Sequence, residues 1–137
     1  MLFRSSRYLR VAADPMLAAG REDHQMLLFP LFYTSFLVDD FLADNDDFGA
    51  TCVVVSSASS KTAIGVGHRA RARGRRSVGL TSPGNLEFTT SLGVYDEVVT
   101  YGEVGGLATG PTAYVDVAGD AAVTRAVHEH LADGLTH

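Results

Sequence analysis

The residues with the most chemical potential are crowded into one short stretch, Ser56-Ser57-Ala58-Ser59-Ser60-Lys61-Thr62. An apolar run, Cys52-Val53-Val54-Val55, precedes it, and a segment rich in Ala, Gly and Arg follows, closed by Gly74. A second apolar run, Ser77-Val78-Gly79-Leu80, ends at Thr81-Ser82-Pro83. Strand, tight turn, helix, strand is the unit that binds nucleotides in open α/β sheets.

Three readings of the turn compete. Ser60-Lys61-Thr62 imitates the G-K-[ST] ending of a phosphate-binding P-loop. Val55 and Ser60 stand where its glycines belong, however, and those glycines let backbone N–H groups wrap a phosphate. Alternatively, Ser57-x-x-Ser60-x-x-Ala63 overlays the G-x-x-G-x-x-G/A spacing of a dinucleotide turn, whose third position must be small for helix–strand packing. Ser57, Ser59, Ser60 and Thr62 would then set hydroxyls beside a helix N-terminus, where free N–H groups and the helix dipole attract a pyrophosphate. Lys61 would add a charge-assisted contact. The third reading is an ordinary helix start, capped by Ser59 or Ser60 and binding nothing.

The end of the second run bears on the choice of cofactor. A carboxylate about 20 residues beyond the glycines holds the ribose hydroxyls of NAD. Here that place is Leu80-Thr81-Ser82, and the first acid afterwards is Glu87. Without a carboxylate to repel a 2′-phosphate, and with Thr81 and Ser82 able to donate to it, NADP is expected ahead of NAD.

The remaining chain supplies elements to carry this turn. Residues 1–25, broken by Pro15 and Gly20, read as an irregular segment. Arg4, Arg7 and Arg10 there resemble a transit peptide only faintly, and no cleavage-type site follows. Residues 26–137 read as one Rossmann-like domain. Pro30 is expected to divide an extended piece from a helix over Tyr33–Ala43, because the residue before proline is pushed out of αR. Phe32, Phe36, Leu37 and Phe41 share a face of that helix. Asp39, Asp40, Asp44, Asp46 and Asp47 lack Ca²⁺-loop spacing and read as a solvated helix end and loop.

Beyond the second strand we expect a short helix over Asn85–Ser91 ended by Gly93, and strands at Val98–Tyr101 and Ala113–Val117. A last helix, capped by Asp120, should carry Val123, Ala126, Val127 and Leu131 on one face and stop at Gly134. This order predicts an α/β fold with a parallel sheet.

Bulk properties narrow the classes. A net charge of −5 argues against nucleic acid, despite Arg69, Arg71, Arg73, Arg75 and Arg76 near the end of the first cofactor-domain helix. Cys52 alone can build neither a disulfide framework nor a thiolate metal cage, and its place in an apolar run suits an internal small hydrophobe. His128 and His130, two apart on a helix, face different ways, so no shared metal is expected. The sequence has no continuous apolar stretch of about 18 residues, so neither a membrane span nor a membrane partner is expected, and a cytoplasmic location is the default.

Several runs carry a resemblance. Gly74-Arg75-Arg76-Ser77-Val78-Gly79-Leu80-Thr81-Ser82, eleven positions after Ala63, and Ser91-Leu92-Gly93-Val94-Tyr95-Asp96-Glu97-Val98-Val99-Thr100-Tyr101 are two of them. They look like the cofactor domain of quinone oxidoreductases in the medium-chain dehydrogenase/reductase superfamily. Thr34-Ser35-Phe36 resembles the T-A-Y of the preceding helix, and Tyr114-Val115-Asp116-Val117-Ala118-Gly119 a later strand. The runs Thr34–Asp44, Ser56–Ala63 and Tyr114–Asp120 are similar to a branch defined as domain of unknown function 2855.

The resemblance implies a partial Rossmann fold, a sheet of about four parallel strands in order 3-2-1-4 with helices on both faces, whose last strand, Ala113–Val117, lies at an unpaired edge unless a partner such as a further copy covers it. It implies NADP binding, with Thr34, Asn85 and Ala118 joining Ser57, Ser59, Ser60, Lys61, Thr62, Thr81 and Ser82 at the cofactor. Gly84 and Asn85 stand where that family has a basic residue. It further implies zinc-independent hydride transfer to a carbonyl or enone-type small molecule. It also implies that the chain lacks a catalytic barrel and two sheet strands, and so is inactive alone. No catalytic residue is assigned; Thr34, Tyr33 and Tyr95 are the candidates. The alternative is a nucleotide-binding or oligomerisation module without turnover.

Overall fold

The computed structural model describes residues 20–137, so the expectations for residues 1–19 lie outside the described residues. Within them the helices are α1 (Glu22–Asp44), α2 (Lys61–Ala72), α3 (Leu86–Ser91) and α4 (Ala121–Leu131). The strands are β1 (Cys52–Val55), β2 (Arg76–Thr81), β3 (Glu97–Thr100) and β4 (Thr112–Val115). All strand pairs are parallel, as expected from the alternation of elements, and the order is β3-β2-β1-β4, the 3-2-1-4 order expected from the resemblance.

Side-chain alternation along β1 divides the core in two. Val53 and Val55 pack with Leu42, Ala63, Val66 and Tyr95 on the face covered by α1 and α2. Val54 packs with Val78, Leu80, Val123, Val127 and Leu131 on the α4 face. Asp120 caps α4 by accepting from the N–H groups of Ala122 (2.8 Å) and Val123 (3.3 Å). Gly93 takes the left-handed φ of 62° expected after α3. The short α3 begins one residue later than expected, behind a 3-10 turn at Pro83–Asn85. The last helix stops at Leu131 rather than Gly134, because Ala132 already turns left-handed (φ 41°).

The largest correction concerns α1. Helix runs unbroken from Glu22 through Pro30, so residues 22–25 are not irregular and no extended piece precedes Tyr33. Proline denies the Met26 carbonyl its helical donor. Both residues lie on the exposed surface, where water can replace it. The face of α1 turned inward is also not the aromatic one. Ser35, Asp39 and Leu42 are buried, whereas Phe32, Phe36, Leu37 and Phe41 are exposed.

Two features of α2 explain this orientation. Gly65 lets α2 approach α1 so closely that an added Cβ would stand 2.3 Å from the Ser35 hydroxyl oxygen. That hydroxyl instead donates to the Thr62 carbonyl at 2.8 Å. Arg69 and Arg73 reach the Asp39 carboxylate at 2.9 and 2.7 Å. Arg73 and Arg75 also hold Asp47, at 2.9 and 2.6 Å. Asp39 and Asp47 are thus buried ion-pair partners, not solvated acids; three arginines of one cluster hold these two acids of the other, and Arg73 bridges both. Asp47 lies in a left-handed turn in which Asp46, Asp47 and Phe48 all have φ between 50° and 54°. Such a turn strains L residues, and the arginine clamp fixes it.

The outer edge of β4 is not bare. The C-terminal residues run beside it: Thr136 N–H donates to Thr112 O at 2.8 Å, and Tyr114 N–H to His137 O at 2.9 Å. The His137 ring stacks on Phe48 with centroids 3.9 Å apart.

By length and composition α1 is the one helix among the described residues that meets the criterion for a membrane span. Asp39 and Asp40 confine its uncharged run to His24–Val38, fifteen residues, shorter than the about 20 that a span needs.

Candidate functional site at the carboxyl end of the sheet

The chain leaves β1 toward β2 and β3 on one side, whereas β4 lies on the other. This reversal falls at the carboxyl ends of β1 and β4, the place where ligands sit in open parallel sheets. The β1–α2 turn, Ser56–Ser60, forms one lip. The loop after β4, Asp116–Asp120, forms the other.

Ser60 is the N-cap of α2 and accepts from the Ala63 N–H at 3.3 Å. Ser60 N–H donates to Ser57 O at 2.8 Å, closing the turn. Ser57 occupies the first glycine-like position and has a left-handed φ of 51°, so the serine takes the conformation for which glycine is usual. Ala63 is fully buried, as a small third position requires. The N–H groups of Lys61 and Thr62, at the first two positions of α2, have no acceptor among the described residues. They are free donors at the positive end of a helix dipole. The Lys61 side chain is exposed beside them.

The β2–α3 connection is tied to this turn, because Asn85 Nδ2 donates to Ser59 Oγ at 3.2 Å. Thr81 ends β2 at 1 % exposure, and its Oγ1 has no hydrogen-bond partner. A buried hydroxyl without a partner is costly in a native structure. Ser82 is half-buried next to it. Ser57, Ser59, Ser60, Lys61, Thr62, Thr81, Ser82 and Asn85 are therefore gathered at the ends of β1 and β2.

Two expected residues stand apart from that group. Ala118 lies on the opposite lip, with its N–H donated to Ser56 Oγ at 2.9 Å. Thr34 donates to Pro30 O at 2.8 Å and lines a separate groove with Leu37, Tyr114 and Asp116.

Three residues that sequence reasoning passed over shape the site. Ser56 donates to Asp116 Oδ1 at 2.8 Å and accepts from Val117 N–H at 2.8 Å, bridging the two lips. Burial raises the Asp116 carboxyl, but hydrogen bonds from Ser56, the Gly119 N–H, Thr124 and the Ala118 N–H outweigh it and hold the group below the usual carboxylate range. Asp116 is therefore an anion at neutral pH. Tyr101, at the end of β3, places its hydroxyl oxygen 3.2 Å from the Ser57 N–H, which donates to it. No sequence signal connects Tyr101 with Ser57, 44 positions away. The Val-Asp-Val run around Asp116 was visible only as part of a resemblance.

The catalytic candidates are placed differently. Tyr95 is 6 % exposed; its ring lies against Gly67 and Gly79, and its hydroxyl donates to Ala58 O at 3.1 Å. Burial pushes that hydroxyl well above its ordinary value, so it stays protonated and holds the turn through Ala58. Tyr33 is exposed on α1 and stacks on Phe29. His128 packs edge-on against Tyr114, whereas His130 Nε2 meets Leu107 O at 2.8 Å. Cys52 is half-buried, and burial raises its thiol.

No curated protein matches this chain. A family model described as protein of unknown function DUF2855 matches residues 6–137, nearly the whole sequence. The chain belongs to the DUF2855 family.

Proposed function

We propose that the chain is the cofactor-binding domain of an oxidoreductase that uses NADPH. The observation that carries this reading is the set of unspent donors at the carboxyl end of β1 and β2: the Lys61 and Thr62 N–H groups and the Thr81 hydroxyl. In an open parallel sheet that place suits a pyrophosphate and its adjoining ribose. Ser60 and Lys61 would lie along the pyrophosphate. Thr81, Ser82 and Asn85 would face the adenosine ribose and its 2′-phosphate. The bound nicotinamide would supply the hydride, and this chain's residues would bind and orient the cofactor.

The turn departs from a glycine-rich one, yet Ser57 already adopts the left-handed backbone that such a turn needs. The buried, partnerless Thr81 hydroxyl agrees with a site that accepts a polar group. The resemblance to quinone oxidoreductases extends this to zinc-independent reduction of a carbonyl or enone-type small molecule.

A second reading, a nucleotide-binding module without turnover, is favoured by one observation. Tyr95, one of the candidate proton donors, is buried with its hydroxyl committed to Ala58. Fluorescence titration of the chain with NADPH and NADH tests both readings. Tighter binding of NADPH supports the cofactor assignment. Equal affinity removes the preference for NADP, and absence of binding to either overturns the proposal. In the intact gene product, binding without oxidation of NADPH across a panel of enones selects the second reading, and turnover selects the first.

A further inference from the structure

We infer that α1 is a self-association element, in which two copies of this chain pair their first helices antiparallel about a two-fold axis near Phe29. All three buried residues of α1, Ser35, Asp39 and Leu42, lie in its second half. The first half, Glu22–Thr34, extends with no buried residue and yet carries Met26, Leu27, Phe29, Phe32 and Tyr33, each at least 51 % exposed. Thirteen residues span about 20 Å, and an isolated helix of that length is marginal in water. A helix that is apolar nearly all round belongs against a partner.

Three features of the surface select a second copy. The first is area. Counting Phe36 and Leu37, seven large apolar side chains of α1 are between 44 and 72 % exposed. They amount to on the order of 800 Å² per chain, the area one partner contributes to a stable dimer.

The second is charge. The tip of α1 is acidic, with Glu22 and Asp23 in its first turn. Beside Phe32 and Phe36 is an apolar groove of about 480 Å³, bounded also by Ile64 and Val94 and rimmed by His68 and Arg69.

The third is register. An antiparallel crossing at Phe29 places Glu22 opposite Phe36 of the other copy, and Arg69 sits over the Phe36 ring, 5.1 Å from its centroid. The acidic tip of each copy thus meets the basic rim of the other, and Met26 meets Phe32. The surface is complementary to itself, as a two-fold interface demands.

Sedimentation velocity of the intact chain over a hundredfold concentration range should give a monomer–dimer equilibrium. Phe29→Glu should weaken the dimer by roughly tenfold or more, as removal of a central anchor does, with an unchanged circular dichroism spectrum. Should that variant unfold, Phe29→Cys gives an independent reading. Mild oxidation should cross-link it across the axis, whereas Asp133→Cys, on the turn after α4, and the parent chain with Cys52 alone should not cross-link. A monomer at every concentration overturns the inference. So does a dimer indifferent to Phe29→Glu, or cross-linking of Asp133→Cys as fast as Phe29→Cys. Monomers that instead pellet with phosphatidylcholine vesicles also overturn it, in favour of a lipid surface.

Discussion

The Ser57 N–H donates to the Tyr101 hydroxyl oxygen at 3.2 Å, joining the turn after β1 to the end of β3. The hydroxyl's own proton has no acceptor among the described residues. Tyr101 thus steadies a backbone held at φ 51° and offers a donor at the lip of the site. Tyr101→Phe removes both functions. Loss of one such hydrogen bond costs about 1 kcal/mol, so we expect the melting temperature to fall by about 2–5 degrees and NADPH affinity to fall about fivefold in the same titration.

Ser60 caps α2 where its free N–H groups begin. Ser60→Glu would set a carboxylate against an incoming pyrophosphate while leaving an acid near the positive end of the helix. NADPH binding should weaken more than tenfold, that is by more than about 1.4 kcal/mol, while thermal stability stays within a few degrees. Unchanged affinity measured by titration would remove Ser60 from the site.

Gly65 sets the spacing of α1 and α2, because a Cβ there would meet the Ser35 side chain at 2.3 Å. Gly65→Ala must push the helices apart and stretch the Ser35–Thr62 contact. Overpacking of this kind costs about 1–3 kcal/mol. Denaturant unfolding should show the loss, and the double variant Ser35→Ala with Gly65→Ala should recover part of it. No recovery would locate the strain elsewhere.

Asp47 is 1 % exposed between Arg73 and Arg75. Burial pushes its carboxyl up, but the hydrogen bonds and charges of the two arginines together prevail and hold it below its ordinary value. Because the folded value is the lower one, the stability that Asp47 contributes is complete above the unfolded carboxylate value, about pH 4. It is lost as pH falls through the folded value. Asp47→Asn leaves the arginines facing a neutral group and should cost about 3 kcal/mol at pH 7, the low end for a buried pair because both arginines are partly exposed. Melting curves should show the parent losing its advantage over the variant below about pH 4. A constant difference from pH 7 to pH 2 would exclude this origin.

The elements themselves were legible in the sequence. Strands β1 and β2, the α2 N-terminus, the Asp120 cap and the apolar face of α4 follow from local periodicity and turn chemistry, which neighbouring residues decide. Parallel pairing followed from the alternation of strands and helices. Sequence also placed Ser57, Ser60 and Lys61 together, because they are adjacent in the chain.

What tertiary structure alone decided were the relations between distant residues. Pro30 suggested a break, but an exposed proline can be tolerated where water satisfies the freed carbonyl, and α1 runs through it. The aromatic side of α1 looked like its inner face. Burial followed Ser35, Asp39 and Leu42 instead, because Gly65 allows the close approach and Arg69 and Arg73 neutralise Asp39. Hydrophobicity of single residues cannot reveal that an acid will be buried, since its partners lie 30 and 34 positions away. Ser56 with Asp116, and Ser57 with Tyr101, likewise meet only once the sheet brings the ends of β1, β3 and β4 to one edge.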